Sequence, residues 1–196
     1  MLDDPALFME CVCLVYRPHS QPRSDEPSDE AMQAGASLAW NVLYHGRGVP
    51  GQLEDGIIDN VKFDAWIAEA RKLATEQDRL DAADSTIGEW ISTCPADPDG
   101  KWPCLAVRNL LDYPGTEKIR SGFRLGVLNK RGVTSRAVGA GGSQERDLAS
   151  QYRALAEPLQ GSHPQTAAIL EAIAKSYEAE GRRHDEDSEL WKEGAR

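Results

Sequence analysis

The central stretch of the chain, residues 78–111, constrains the fold most strongly because it predicts two helices separated by an abrupt stop. Its first half places apolar residues at helical spacing behind Asp78 as the expected N-cap: Leu80, Ala83, Ile87, Trp90, Ile91 and Cys94. Pro95 prevents this helix from continuing, and the segment 98–100 (Pro-Asp-Gly) is typical of a tight turn. Pro103 stands where a second helix favours its first residue, so we expect a helical hairpin.

The same helical spacing recurs in the rest of the chain, and strand-like alternation does not. Further helix starts are predicted at Asp4-Pro5, Ser28, Asp59, Thr116, Ser143 and His163-Pro164. No run of β-branched residues alternates with polar residues for long enough to form a convincing sheet. We predict an all-α fold of about eight helices in mostly antiparallel hairpins, as an irregular bundle or a short repeat-like array.

The length of the chain bounds the number of domains. A chain of 196 residues can bury one full hydrophobic core, or two small cores that share an interface. We favour a single helical domain over residues 1–196. Flexible loops are expected near residues 17–27, which are rich in proline and polar residues, and near residues 130–142, which are rich in glycine.

The charge and hydropathy of the chain argue against two classes of partner. The formal net charge of −10 would repel both nucleic acid and an anionic membrane surface. The longest unbroken apolar run, residues 11–16, is far too short to cross a bilayer. No signal peptide precedes the first helix, so we expect a cytoplasmic protein without a membrane partner.

The four cysteines, Cys11, Cys13, Cys94 and Cys104, do not have the spacing of a common zinc site. No histidine stands at a partner interval, so we expect neither a metal nor another cofactor. We predict reduced, buried thiols. A disulfide between Cys94 and Cys104 is sterically conceivable across the turn, but a cytosolic setting disfavours it.

The main candidate contact site for an anion is a basic segment at residues 116–136, where six basic residues face one acidic residue. Its candidate contact residues are Arg120, Arg124, Lys130, Arg131 and Arg136. Arg120 and Arg124 are one helical turn apart and would share an exposed face. The favoured interpretation is plainer: this face balances acidic neighbours such as Asp81 and Asp84, or is simply solvated.

Other motifs have stronger structural than functional interpretations. The glycine-rich residues 139–143 resemble an anion-binding loop, but the expected lysine is missing, and Glu145 already places negative charge in the following helical turn. We interpret residues 97–100 as a turn because a calcium loop needs further carboxylates. His45 is expected to cap a helix, because no nucleophile is paired with it. We therefore do not favour an enzyme.

The first predicted helix, residues 6–16, is apolar nearly all round. A bundle can cover such a helix on every side only if the helix is central, and a terminal helix seldom is. Leu7, Phe8 and Leu14 are therefore candidate interface residues. This helix also suggests that the chain is a module of a longer protein.

Three segments carry a resemblance to a known family: ISTCPADPDGKWP at residues 91–103, RSGFRLGVLNKRGVTSR at 120–136 and GGSQERDLASQYRALA at 141–156. They resemble the C-terminal helical region of very large bacterial proteins whose function is uncharacterised. The resemblance implies a module of a larger bacterial polypeptide and brings no catalytic or ligand-binding residues with it.

We therefore predict a non-enzymatic helical interaction or scaffold domain. It would dock against other parts of its parent chain, another protein or a second copy of itself. The alternative is a module that contacts phosphate or nucleic acid through the basic segment.

Overall fold

The computed structural model describes residues 4–21, 30–46, 48–130 and 141–194, and the side chains up to residue 190 within those ranges. In these ranges it contains eight α-helices and no strand, which confirms the all-α prediction. The helices are α1 (Pro5–Val15), α2 (Glu30–His45), α3 (Asn60–Glu76), α4 (Leu80–Ile91), α5 (Leu105–Asp112), α6 (Glu117–Asn129), α7 (Ser143–Ala156) and α8 (Pro164–Gly194), with a 3-10 turn, η1 (Glu157–Leu159), after α7.

The chain groups into two compact units, Met1–Gly126 and Val127–Arg196, and the division falls inside α6. The first unit contains α1 to α5 and most of α6. The second contains the end of α6 together with α7, η1 and α8. The grouping does not test the expectation of a single domain, which stays a prediction.

The core of the first unit is built around three aromatic side chains from three helices. The ring of Phe8 in α1 lies 5.2 Å from Trp66 in α3 and 5.0 Å from Trp90 in α4. The Trp90 indole N–H donates a hydrogen bond to the Leu43 carbonyl of α2 at 2.7 Å. The ring contacts and this hydrogen bond join α1, α2, α3 and α4. Burying each aromatic side chain contributes about 1.5–3 kcal/mol to the stability of the fold.

Helix α1 is more central than we expected of a terminal helix. Its Phe8, Met9, Cys11 and Val12 are buried, and it packs against α2, α3 and α4. The predicted start is confirmed, since the Asp4 carboxylate accepts a hydrogen bond from the Ala6 N–H at 2.9 Å.

Helices α4 and α6 approach each other through glycines. A Cβ atom on Gly88 would lie 2.2 Å from the Ile119 carbonyl oxygen, and one on Gly122 would lie 2.0 Å from the Ser85 carbonyl oxygen. No side chain fits at either distance. The two helix backbones therefore approach closely at these glycines.

Asp78 does not cap α4, so the predicted N-cap is wrong. Its backbone is in the left-handed region (φ 54°), which reverses the chain after α3, and α4 begins at Leu80 without a side-chain cap. The Asp78 carboxylate instead accepts a hydrogen bond from the Ser20 N–H at 2.7 Å. Its carbonyl accepts another from the His19 N–H at 2.8 Å. The described part of the predicted 17–27 loop is therefore anchored, while residues 22–27 lie outside the described residues.

Pro103 is not the first residue of its helix either. Helix α5 begins at Leu105, with Cys104 at the N-cap position. The Asp97 carboxylate accepts a hydrogen bond from the Leu105 N–H at 3.2 Å, so the turn itself supplies the acceptor for this helix start. The sequence pattern did not reveal this contact.

The second unit is an antiparallel hairpin of α7 and α8. Tyr152 and Tyr177 stack with ring centroids 5.7 Å apart, and Arg153 pairs with Glu178 at 2.7 Å. Pro158 lies in η1, directly after the end of α7 at Ala156. The predicted cap Ser143 is instead the first residue of α7, after Gly142.

Candidate interaction surface

Helix α2 has an unusual composition for an exposed helix. Only Ala39 and Leu43 of its side chains are fully buried. Between Ala31 and Tyr44 it carries no charged residue, although charged residues make up 28% of the chain. A surface helix normally places charged groups opposite its core face, and along this stretch the exposed side of α2 has none.

The exposed side of α2 presents large apolar side chains in a row. Met32, Ala36, Trp40 and Tyr44 follow at intervals of four residues and share one side of the helix. Met32, Trp40 and Tyr44 are 67%, 47% and 60% exposed. The rings of Trp40 and Tyr44 stack with their centroids 5.8 Å apart and their planes inclined by 13°. We refer to these four residues as the α2 ridge.

A shallow groove runs beside the α2 ridge. It has a volume of about 460 Å³ and is lined by Val15 of α1 and by Ala36, Ser37, Trp40 and Asn41 of α2. None of these residues is charged. The small side chains of Ala36 and Ser37 leave space next to the Trp40 ring, which is the shape that accepts a side chain from a packed helix.

The three interface residues predicted in α1 differ in their exposure to solvent. Leu14 is 55% exposed and Leu7 is half-buried. Phe8 lies in the aromatic core between Trp66 and Trp90, so it is not available for an interface. The sequence analysis did not consider Trp40 and Tyr44. Two aromatic residues in a predicted helix with no charge between residues 31 and 44 could have indicated an interaction surface.

Two basic residues of the described part of the basic segment, Lys118 and Arg120, form ion pairs with acidic neighbours. Lys118 pairs with Asp81 at 3.0 Å, as the plainer interpretation anticipated. The Arg120 guanidinium pairs with Glu117 at 2.7 Å and donates to the Leu111 carbonyl at 2.9 Å. Asp84, however, pairs with Arg71 of α3 at 3.0 Å.

Arg124 and Lys130 are exposed, and Arg131 and Arg136 lie outside the described residues.

Of the glycine-rich loop, only its last three residues are described. The Gly142 N–H donates a hydrogen bond to the Asp185 carboxylate at 2.8 Å, and Arg146 pairs with the same carboxylate. These contacts keep the pKa of Asp185 below its ordinary value, with the Gly142 hydrogen bond as the largest cause. An acidic side chain of the protein itself therefore occupies the position that a bound anion would take.

A cluster that sequence reasoning missed lies between α7 and α8. The ligand atoms of Glu145, Glu180 and His184 all lie within 4.8 Å of one another, and Glu145 is fully buried. The close approach of Gly142 and Gly181 brings the two helices together beside it. Carboxylates and imidazole are zinc-ligand types. However, His184 and Glu180 already contact each other at 3.4 Å, which accounts for their arrangement, and we assign no ion to the cluster.

The fold and the surface define the protein as an all-α protein with an exposed, uncharged helical face. Within the described ranges, no helix combines the length and hydropathy needed to span a membrane. Comparison with family models, with curated proteins and with solved structures finds no match to the chain. The resemblance to the helical region of large bacterial proteins therefore stays a prediction.

Proposed function

We propose that the protein is a non-enzymatic interaction module that docks a helix of a partner protein on the α2 ridge and the groove beside it. The observation that carries this proposal is the row of exposed apolar side chains on a helix that has no charged residue between Ala31 and Tyr44. Large exposed apolar patches are unfavourable in water and mark interaction sites in soluble proteins. Trp and Tyr are also the residue types that most often dominate binding energy at such sites.

The chemistry of the surface indicates the kind of partner. The ridge side chains recur every four residues, and the groove beside them is lined by small and aromatic residues. This arrangement fits an apolar helical face whose side chains pack between those of α2. Since the surface offers no charge to pair with, we expect the contacting face of the partner to be uncharged.

Two substitutions in the α2 ridge and one matched control substitution outside it test the proposal. The intact chain serves as bait in its native host in four forms: wild type, Trp40→Glu, Tyr44→Glu and Val61→Glu. Trp40 and Tyr44 belong to the ridge, whereas Val61 is an even more exposed apolar residue on α3. A true partner is recovered by the wild type and by Val61→Glu, and is lost from both ridge variants.

The folding of each variant is checked by circular dichroism before the comparison. If every protein recovered with the wild type is also recovered with both ridge variants, the α2 ridge is not the docking surface. Cross-linking the recovered partner through a photoreactive residue at position 36 then gives a second, direct measurement of the contact.

A further inference from the structure

The side chains of the α2 ridge are arranged so that the ridge can pair with a second copy of itself. Its four positions are evenly spaced, with Met32 and Tyr44 at the ends and Ala36 and Trp40 between them. When two identical helices pack antiparallel across a two-fold axis, position i of one copy faces position j of the other, and j faces i. An axis midway between positions 36 and 40 therefore pairs every ridge position with another ridge position.

The sizes of the paired side chains fit one another in this arrangement. Trp40 of each copy would meet Ala36 of the other, where the small side chains of Ala36 and Ser37 leave space in the groove. Met32 of each copy would meet Tyr44 of the other, and a methionine sulfur packs favourably against an aromatic ring. The row of one helix would then lie in the groove beside the row of the other, as in the commonest class of helix packing.

The charge distribution of the chain favours pairing through this stretch. Each copy has a formal net charge of −10, so two copies repel each other where their charged faces meet. Between Ala31 and Tyr44, α2 has no charged residue, so contact along the ridge places no charged side chain of α2 opposite another. Helix α2 of a second copy thus has the uncharged face with a four-residue period that we expect of the partner helix.

The exposed area of the ridge limits the strength of such a pairing. Met32, Trp40 and Tyr44 are between 47% and 67% exposed. A large side chain in that state presents roughly 100 Å², so the three together present roughly 300 Å² in each copy. A standard stable interface buries about 800 Å² of each partner. The association should therefore be weak and reversible, with a dimer fraction that rises with protein concentration.

We propose, resting on the docking function proposed above, that the helix docked on the α2 ridge is α2 of a second copy of this chain. The two copies form a weak dimer with two-fold symmetry, in which the two α2 helices pack antiparallel. Its central contacts are Trp40 beside Ala36 and Met32 against Tyr44, and each of these contacts occurs twice.

Sedimentation equilibrium of the purified, intact chain, at concentrations up to the millimolar range, tests the dimer. The mass of the wild type and of Val61→Glu should rise from that of one chain towards that of two, whereas Trp40→Glu and Tyr44→Glu should keep the mass of one chain. All three variants add the same charge, so only the position of the substitution differs. Added salt should increase the dimer fraction of the wild type, because it screens the repulsion between two acidic copies.

Photo-cross-linking tests the antiparallel pairing. A benzophenone amino acid replaces Tyr44, and unlabelled copies are mixed with copies labelled with ¹⁵N before irradiation. Mass spectrometry, after a digestion that separates positions 32 and 44, should find position 44 linked to Met32 in products that combine labelled with unlabelled peptides. The same amino acid at position 61 is the control and should give no link between copies.

Three results would overturn the inference: a wild type with the mass of one chain at every concentration, a folded Trp40→Glu variant that still dimerises, or links from position 44 that do not reach Met32. The first is read on the wild type, so the inference stays testable if a ridge variant fails to fold. None of them removes the proposed function, which fails separately if the ridge variants recover every protein that the wild type recovers from its native host.

Discussion

Two charged side chains are buried in the described part of the first unit, Arg108 and Asp84, and each pairs with residues of opposite charge. The Arg108 guanidinium is buried and reaches Asp97 at 3.1 Å and Asp99 at 3.2 Å, so the turn that looked like a calcium-loop fragment supplies its counter-charges. The other case is Asp84, which is buried beside Arg71. Removing one partner of a buried pair leaves the other without compensation, and this is costly.

Asp84 and Asp78 should affect the pH dependence of stability in opposite directions. Burial raises the pKa of Asp84 despite the opposing effect of Arg71, whereas the Ser20 hydrogen bonds lower the pKa of Asp78. The folded state therefore holds the Asp84 proton more tightly than the unfolded state does. The stability that Asp84 contributes is present below its unfolded pKa and is lost as pH rises through its folded pKa. The contribution of Asp78 is present above its unfolded pKa and is lost as pH falls.

Urea unfolding of the wild type, Asp84→Asn and Asp78→Asn between about pH 3 and pH 7 measures both effects. The stability of the wild type relative to Asp84→Asn should decrease with rising pH, and that relative to Asp78→Asn should increase. Asparagine tolerates the left-handed backbone of position 78, so this substitution isolates the charge. Equal slopes for the two comparisons would contradict the assignment.

Ile91 should behave as a core anchor. It is fully buried in α4, so Ile91→Ala should reduce the free energy of unfolding by about 2–5 kcal/mol, measured by chemical denaturation. Val61→Ala on the exposed side of α3 is the control and should change stability by less than about 0.5 kcal/mol. A nearly silent Ile91→Ala would mean that α4 turns a different face to the core.

At the level of helices, the closest packing in the first unit is between α4 and α6. The carbonyl oxygens of Ser85 and Ile119 occupy the space where side chains of Gly122 and Gly88 would otherwise stand. Helix glycines are normally unfavourable by roughly 1 kcal/mol relative to alanine, so their presence here follows from the packing and not from helix propensity.

Gly122→Ala should therefore destabilise the protein, whereas Gly35→Ala should stabilise it. The new methyl group at position 122 would clash with backbone, and overpacking of this kind costs about 1–3 kcal/mol. At position 35 of α2 a Cβ meets nothing within 4 Å, so better helix propensity should add about 0.4–1 kcal/mol. Thermal unfolding of the two variants gives the comparison, and a stable Gly122→Ala protein would show that α4 and α6 are further apart.

For the whole molecule, the net charge of −10 and the ion pairs of Lys118 and Arg120 with acidic residues predict that nucleic acid does not bind. Fluorescence anisotropy with labelled duplex DNA and single-stranded RNA at low salt should show no change on addition of the protein. The alternative function would require the opposite result: binding that falls steeply with salt and is weakened further in Arg124→Glu.

The sequence by itself determined most of the helices and several of their ends. Asp59 accepts hydrogen bonds from the Val61 and Lys62 N–H groups as its predicted helix-start position requires, and α4 ends at Ile91, before Pro95. These features depend on backbone geometry and hydrogen bonds within a few residues, so they can be predicted from the residues next to them in sequence. The apolar spacing in α4 likewise identified Trp90 and Ile91 as core residues.

Only the tertiary structure decided which side of α2 faces water and which distant groups meet. Helix α2 has more apolar residues than one buried face can hold, so its spacing was compatible with an inward Met32, and contact with α1 and Trp90 selected Ala39 and Leu43 instead. The Glu145–Glu180–His184 cluster likewise joins residues that are far apart in sequence. Helix periodicity is a local property, whereas burial and proximity depend on every element that packs against a residue.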